Sequence, residues 1–318
     1  MKRVGILTSG GDAPGMNAAV RAVVRAGLYH DLEMFVIYDG YKGLVEGNIQ
    51  QVDRDFVSDI VNRGGTIIRS ARLPKFKEVE TRQKGIEQLK KFGIDALVCI
   101  GGDGTYQGAK ALSNMGINCI ALPGTIDNDI ASTDFTIGFD TALNTIVEAV
   151  DKLRDTSTSH QRCSIVEVMG RYCGDLALFS GIACGADLIV TSDYQLTRNE
   201  IIEKLGEMHK NGKRHAMVII TEKLCDVNEL AHDIEKESGF ECRAEVLGRI
   251  QRGGSPTARD RFLAGQMGVR AIELLLEGKG GRCVGLRGSE LVDYDIDDAL
   301  KMKRDTHTEL VDVIHSIC

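Results

Sequence analysis

The sequence predicts an α/β fold with mainly parallel sheets. Short β-branched runs recur along the chain, most end in a glycine or small polar cluster, and a helical pattern follows. Strands that alternate with helices in this way indicate βαβ units. In order, the strand candidates are Val4–Leu7, Met34–Tyr38, Ala96–Ile100, Asn118–Leu122, Ser164–Val168, Leu188–Val190 and Ala216–Ile220. Helical stretches between and after them are Asn17–Tyr29, Thr81–Lys91, Ala142–Arg154, Asn199–Lys210 and Arg261–Glu277. With 318 residues the chain exceeds one ordinary core, so two domains are expected. No Pro/Ser-rich linker divides it. The domains should therefore pack closely, with the polypeptide crossing between them more than once.

Composition excludes several classes of function. Hydrophobic residues at 43% and charged residues at 27% fit a globular protein, and no stretch approaches the ~20 apolar residues of a membrane span. Met1-Lys2-Arg3 precedes only four strand-like residues, too few for a secretory signal core. The nine cysteines contain no C-x-x-C pair, so neither a zinc ribbon nor a redox motif is expected. All nine are expected as small buried hydrophobes in a reducing cytosol. Net charge is −7 without a basic run, which argues against nucleic acid. Glycine is abundant at 36 residues and often ends an apolar run, where a backbone must turn tightly or approach a ligand.

In open α/β sheets ligands bind beyond the carboxyl ends of the strands. The first such loop reads Thr8-Ser9-Gly10-Gly11-Asp12-Ala13-Pro14-Gly15-Met16-Asn17. A helix is expected to start near Pro14, a residue suited to an early helical position. Exposed N–H groups and the helix dipole make such a turn a phosphate cradle, although tight packing of helix on sheet also accounts for it.

The second loop is Ile100-Gly101-Gly102-Asp103-Gly104-Thr105. Packing explains an acidic side chain among three glycines poorly. Glycine-rich backbone reaches phosphate oxygens, and one carboxylate anchors Mg²⁺ through few protein ligands. The alternative is a turn aspartate capping the next helix. Several nucleotide-using kinase families share such a loop, so it indicates an ATP site before any particular acceptor.

The third loop, Pro123-Gly124-Thr125-Ile126-Asp127-Asn128-Asp129, sets two carboxylates two residues apart. Neighbouring carboxylates can hold different pKa values, one serving as base while the other orients it. Phosphoryl transfer needs a group to accept the proton of the attacking hydroxyl. An Asx-rich surface turn is the competing explanation. Arg72, Arg162, Arg171, Arg243, Arg249 and Arg252 are expected in loops. There they would form a dispersed polyanion site, since arginine clamps phosphates bidentately.

With these residues assembled, the chain resembles the bacterial ATP-dependent 6-phosphofructokinases. The matching segments are Leu7–Ala19, Ile100–Thr105, Pro123–Asp129, Phe135–Ala142, Val168–Arg171, Gln251–Pro256 and Glu277–Gly281, in unbroken order across nearly the whole chain. The resemblance implies transfer of the ATP γ-phosphate to the 1-hydroxyl of fructose 6-phosphate, with Mg²⁺ as cofactor. It implies a cytoplasmic homotetramer of two-domain, three-layer α/β/α subunits. Residues 1–138 plus about 251–305 would bind ATP, and about 139–250 plus 306–318 the sugar phosphate.

Position by position, the resemblance assigns ATP to Gly11, Arg72, Leu73, Gly102, Asp103, Gly104 and Thr105, with Asp103 on the metal. Asp127 would be the base, with Thr125 and Asp129 beside it. Arg72 and Arg171 would stabilise the transferring group. Thr125, Ile126, Asp127, Met169, Gly170, Arg171, Glu222, Arg249 and Arg252 would hold the sugar phosphate, while Arg162 and Arg243 would reach in from a neighbouring subunit. An effector pocket for ADP or phosphoenolpyruvate would use Arg21, Arg25, Arg54, Arg154, Gly185, Asp187, Asn211, Lys213, Arg214 and His215.

Four positions depart from the family pattern. Arg249 replaces a histidine that binds the sugar 6-phosphate, and Lys223 replaces a glycine, where it is expected to tilt or pair Glu222. Asn211 replaces a basic residue and Asp187 a longer glutamate. Three alternatives remain open. A pyrophosphate-dependent relative would carry bulkier residues at Gly104 and Gly124, and lipid or NAD kinases would lack the Thr125–Asp129 and Gln251–Gly254 segments. A non-catalytic sensor of sugar phosphates or nucleotides would be free to lose Asp103 or Asp127.

Overall fold

The computed structural model describes residues 1–307, 309, 310, 313 and 316. In chain order its elements begin with β1 (Arg3–Ser9), α1 (Met16–Tyr29), β2 (Glu33–Ile37), α2 (Gly40–Glu46) and β3 (Ile49–Val52). Next come α3 (Val79–Phe92), β4 (Ala96–Gly101), α4 (Asp103–Ser113), β5 (Asn118–Pro123) and α5 (Phe139–His160). These are followed by β6 (Arg162–Val168), α6 (Asp175–Cys184), β7 (Leu188–Val190), α7 (Arg198–Lys210) and β8 (Ala216–Thr221). The series ends with α8 (Val227–Glu237), β9 (Glu241–Val246), α9 (Ala258–Leu276), β10 (Arg282–Arg287), β11 (Glu290–Asp295) and α10 (Ile296–Ala299).

The chain divides into two compact units, Met1–Thr141 with Arg252–Arg304, and Ala142–Gln251 with Asp305–Cys318. Of the segment 306–318 expected in the sugar-phosphate domain, residues 308, 311, 312, 314, 315, 317 and 318 lie outside the described residues.

The first unit carries one sheet in the order β11-β10-β5-β4-β1-β2-β3. Its centre is parallel and both edges are antiparallel, β2 with β3 and β10 with β11. Alternation along the strands separates two buried faces. Leu7, Leu97, Cys99, Cys119 and Ala121 share a cluster with Leu44, Leu89 and Leu112 from α2, α3 and α4. The intervening Ile6, Val98, Ile100, Ile120 and Leu122 are fully buried on the opposite face, where α1 and α9 pack on each other and against the strands. The result is three layers, each buried Leu or Ile contributing ~1.5–3 kcal/mol.

The second unit holds a parallel sheet in the order β7-β8-β6-β9. Ile165, Val190, Val218 and Ile220 face α7 and α8 through Ile201, Leu205, Leu230 and Ile234. On the other face α6 packs on β7 and β8, and the Ser157 hydroxyl of α5 lies 2.6 Å from that of Ser164.

Among the described residues no helix is long and apolar enough to cross a membrane. Cys225 departs from the expectation of burial. It is exposed on the turn before α8, Cys184 is half-buried, and Cys318 lies outside the described residues.

Candidate active site

Three loops of the first unit meet because their strands are neighbours. β1 pairs with β4 through Ser9 and Gly101, and β4 with β5 through Gly101 and Pro123. A Cβ on Gly101 would stand 2.3 Å from the Ser9 carbonyl oxygen, so only glycine lets the strand ends approach this closely. The Thr105 hydroxyl donates to that same Ser9 carbonyl at 3.1 Å, fixing the second loop on the first.

In the first loop the helix starts at Met16, later than Pro14 suggests. Gly15 takes φ +98 immediately before it, a left-handed turn that a proline-led start does not provide. Asn17 is buried and works as a clamp. Its amide donates to the Arg63 and Gly64 carbonyls at 3.0 and 3.1 Å and accepts from the Ile67 N–H at 2.7 Å. The segment it holds becomes one wall of a cavity of about 400 Å³ lined by Gly10, Gly11, Asp12, Thr66, Ser70, Ala71, Arg72 and Arg252. The Ser70 hydroxyl closes that wall by donating to the Gly10 carbonyl at 2.7 Å. A Cβ on Gly11 would stand 2.8 Å from Arg252 Nη1. Arg252 Nη1 lies 4.0 Å from Asp12 Oδ1, while its buried Nε has no hydrogen-bond partner among the described residues, a donor that suits an anion. Leu73 instead packs against the apolar cluster under α2 and α3.

Asp103 heads α4, after Gly102 at the cap position, and no side chain caps that helix. The capping alternative for Asp103 therefore fails. Its carboxylate is exposed and, among the described residues, takes no hydrogen bond or ion pair. Burial by the surrounding protein nevertheless raises its pKa above the ordinary aspartate range. A divalent cation would relieve that cost, so this carboxylate fits a metal.

The third loop is braced by a short return strand. The Thr125 N–H donates to the Ile137 carbonyl at 3.1 Å, and the Ile137 N–H donates to the Pro123 carbonyl at 2.8 Å. The Thr136 hydroxyl donates to the Thr125 carbonyl at 2.7 Å, and the Thr136 N–H donates to Asn128 Oδ1 at 2.9 Å. Asn128 adopts φ +53, which turns the chain sharply between the two aspartates. Asp127 is 5% exposed and Asp129 is half-buried, so the pair sits in unequal environments. Ile126 is buried. A Cβ on Gly102 would lie 3.8 Å from Thr125 Cβ, which measures how closely the Asp103 and Asp127 loops abut.

In the second unit the turn after β6 is similarly pinned. The Met169 N–H donates to Gln251 Oε1 at 3.1 Å, and the Arg171 N–H donates to Glu222 Oε1 at 3.0 Å. Gly170 has φ +130, and a Cβ there would stand 2.4 Å from the Cys173 carbonyl oxygen.

Residues 3–275 match the family model for phosphofructokinase. The chain belongs to the phosphofructokinase family. It is 58% identical over 318 residues to the ATP-dependent 6-phosphofructokinase of Vibrio cholerae, covering all of this chain and 99% of that protein. It is 59% identical over 305 residues to that of Edwardsiella ictaluri, covering 96% and 95%. The solved phosphofructokinase of Saccharomyces cerevisiae superposes with a TM-score of 0.88 at 34% identity, covering 99% of this chain. This chain spans about half, 47%, of that yeast chain. A pyrophosphate-dependent phosphofructokinase from Marinobacter aquaeolei shares the fold, with a TM-score of 0.85 at 20% identity and 96% and 85% coverage.

Several family-matched arginines lie elsewhere than in loops. Arg162 starts β6 and Arg243 lies within β9, because the parallel register sets Arg162 opposite Glu241. Both pair with Glu241, at 2.9 and 2.5 Å, and Arg243 also lies 3.5 Å from Glu235. Arg249 and Arg252 lie on a 3₁₀ turn, Gly248–Arg252, with Arg249 exposed. Lys223 does not pair with Glu222. It takes φ +69, a glycine-like conformation, and its ammonium stands 5.2 Å over the Tyr172 ring.

The effector positions separate into two groups. Arg21, Arg25 and Arg54 cluster in the first unit, where burial and then repulsion by Arg25 and Arg54 lower the Arg21 pKa. Arg25 Nε is buried without a hydrogen-bond partner among the described residues. In the second unit Asp187 accepts from Lys213 Nζ and from the Met217 N–H, the latter at 2.7 Å. Arg154 donates to the Cys184 and Gly185 carbonyls, Asn211 ends α7, and Arg214 and His215 follow Lys213. A further acid–histidine group is formed by Asp305, His307 and Glu309. The two ring nitrogens of His307 already face Asp175 and Glu309 at 3.6 and 3.5 Å.

Sequence reading missed Asp12, Thr66 and Ser70 as cavity lining. Thr66 and Ser70 carry no motif; hydrogen bonds of Asn17, of Thr8 with Thr66 and Arg69, and of Ser70 with Gly10 bring their segment to the first loop across some fifty or more residues of sequence.

Proposed function

We propose that this phosphofructokinase family member uses ATP to phosphorylate the 1-hydroxyl of fructose 6-phosphate, giving fructose 1,6-bisphosphate and ADP. One observation supports this most: the Asp103 and Asp127 turns are fastened side by side by the Gly124 N–H···O=C Gly101 bond at 3.0 Å. A phosphate-and-metal loop thus borders a buried carboxylate, as phosphoryl transfer to an alcohol requires. Asp127 accepts the hydroxyl proton, while Thr125 and Asp129 orient that step. Gly11, Arg72 and the Gly102–Thr105 turn bind the nucleotide. Asp103 would hold Mg²⁺, which would supply charge neutralisation for the phosphates. Arg72 and Arg171 stabilise the transferring group. Met169, Gly170, Glu222, Arg249 and Arg252 bind the sugar phosphate, and the enzyme works as a cytoplasmic homotetramer with Arg162 and Arg243 reaching a neighbouring copy.

ATP is favoured over pyrophosphate because Gly104 faces open space, with nothing within 4 Å of a Cβ built there. The space beside the metal loop is left for a nucleotide. Measuring ADP release with Mg²⁺ and fructose 6-phosphate, and repeating the assay with pyrophosphate, decides the donor. Turnover with ATP alone supports the proposal. Turnover with pyrophosphate alone overturns the donor, and tight ligand binding without turnover identifies a sensor.

A further inference from the structure

Asp260 is the third residue of α9 and is 1% exposed. An acid there ordinarily serves its own helix, whose N-terminal N–H groups lack partners. Its own helix is capped otherwise, by Thr257 Oγ1 accepting the Asp260 N–H at 3.3 Å. Both carboxylate oxygens point instead to the segment entering α5. Oδ1 accepts the Gly138 N–H at 2.9 Å, while Oδ2 accepts the Thr141 N–H at 2.9 Å and the Thr141 hydroxyl at 2.5 Å. The Thr141 hydroxyl also accepts the Thr257 N–H at 3.0 Å, which closes a ring of bonds.

The residue before Gly138 is Ile137, which braces the base loop at both Pro123 and Thr125. Gly138 has no room to drift, since a Cβ there would stand 2.7 Å from Ala13 Cβ. Gly15 is equally tight, with its Cβ position 2.7 Å from Ile137 Cγ2 and 3.5 Å from Asp260 Cβ. The buried Asp260 carboxylate thus fixes Gly138, the neighbour of the Ile137 brace that bonds the Asp127 loop, and the first loop packs against that brace at Gly15. Keeping that carboxylate buried has a cost. Burial raises its pKa above the ordinary range, against the lowering by the Thr141 and Gly138 hydrogen bonds.

We infer that Asp260 is a positioning residue for Asp127, acting through the Gly138–Ile137 brace. This rests on the reading of Asp127 as base. Asp260→Asn keeps the shape but aims an N–H₂ at one of two buried N–H donors, so the brace loses a bond. A displacement near 1 Å at the reacting carboxylate costs up to ~10²-fold. The expected result is a kcat lower by about 10- to 100-fold, with KM for both substrates within about 3-fold.

The test is a double-mutant cycle with Asp127→Asn, normalised to active sites by stoichiometric nucleotide binding. If Asp260 acts through Asp127, the double variant is no slower than Asp127→Asn alone, because coupled residues are non-additive. Losses that multiply, or an Asp260→Asn enzyme with parental kcat, overturn the inference. Near-normal turnover by Asp127→Asn alone instead removes the base assignment and leaves a separate, recognisable failure. Should Asp260→Asn not fold, Thr141→Val breaks the same ring more gently. It should lower kcat by about 10-fold with KM unchanged, and Thr141→Ser should restore kcat to within about 3-fold. Equal kcat in the Val and Ser variants contradicts the inference.

Discussion

The Gly124 N–H donates to the Gly101 carbonyl at 3.0 Å, one step beyond the last paired residues of β4 and β5. The sheet's own ladder thus continues into the turns and sets their separation. Chemistry that needs a metal-bound phosphate beside a base inherits the rigidity of the central strands.

Gly104→Asp should separate donor binding from folding. The new side chain meets open space, and an acid in the first turn of a helix is tolerated. Thermal stability should stay within about 0.5 kcal/mol of the parent. KM for ATP should rise about 10-fold or more by like-charge repulsion, equivalent to ~1.4 kcal/mol. Gly124→Ala should do the reverse and destabilise by about 1–3 kcal/mol, since its Cβ would stand 3.0 Å from Ile100 Cγ2 and 3.1 Å from Met16 Cε. Melting curves with ATP titrations check both. Unchanged ATP affinity in Gly104→Asp would remove Gly104 from the nucleotide site.

Asp103→Asn should lose activity and gain stability. The pKa of Asp103 is raised in the folded state by burial, so the folded form binds its proton more tightly than the unfolded form. Its favourable contribution is present below the ordinary aspartate range and is lost as pH rises through the raised folded value. At neutral pH the variant should therefore melt at or above the parent's temperature in metal-free buffer. It should also lose the dependence of activity on Mg²⁺ concentration. A lower melting temperature with a parental Mg²⁺ response contradicts the assignment.

Arg249→His should make substrate affinity pH-dependent. Arg249 is exposed on the 3₁₀ turn, and an arginine keeps its charge where a histidine titrates. KM for fructose 6-phosphate should rise between pH 6 and 8 in the variant relative to the parent. Identical profiles would place Arg249 away from the sugar phosphate.

Arg21→Ala with Arg25→Ala should abolish any response to ADP or phosphoenolpyruvate at low fructose 6-phosphate. Burial and then repulsion by Arg25 and Arg54 lower the Arg21 pKa, and Arg25 Nε has no hydrogen-bond partner among the described residues, which together favour a phosphorylated ligand. Asp187 already holds Lys213, which predicts a weak response in the parent. A parental response that survives in the double variant would place the effector elsewhere.

The central strands were legible because aliphatic runs ended in glycine, as at Ile100–Gly101 and Leu122–Gly124. Strands β3, β9, β10 and β11 were not, since Ile49–Val52, Glu241–Val246, Arg282–Arg287 and Glu290–Asp295 carry polar residues on partly exposed backbone. Asp103 and Asp127 stood out as acids set in glycine- and Asx-rich turns. Asp260 did not, because an acid near a helix start is commonplace and its partners lie over a hundred residues away. Ion pairing across the β6–β9 register was likewise invisible in sequence, so Arg162 and Arg243 read as loop cations.

Replacing Asp127 with Asn, which keeps its shape but cannot take a proton, tests the proposed chemistry most directly. Initial rates with ATP, Mg²⁺ and fructose 6-phosphate should show kcat lower by ~10²–10⁴-fold, with KM for both substrates changed far less. A variant that turns over near the parental rate would show that the proton leaves the 1-hydroxyl by another route.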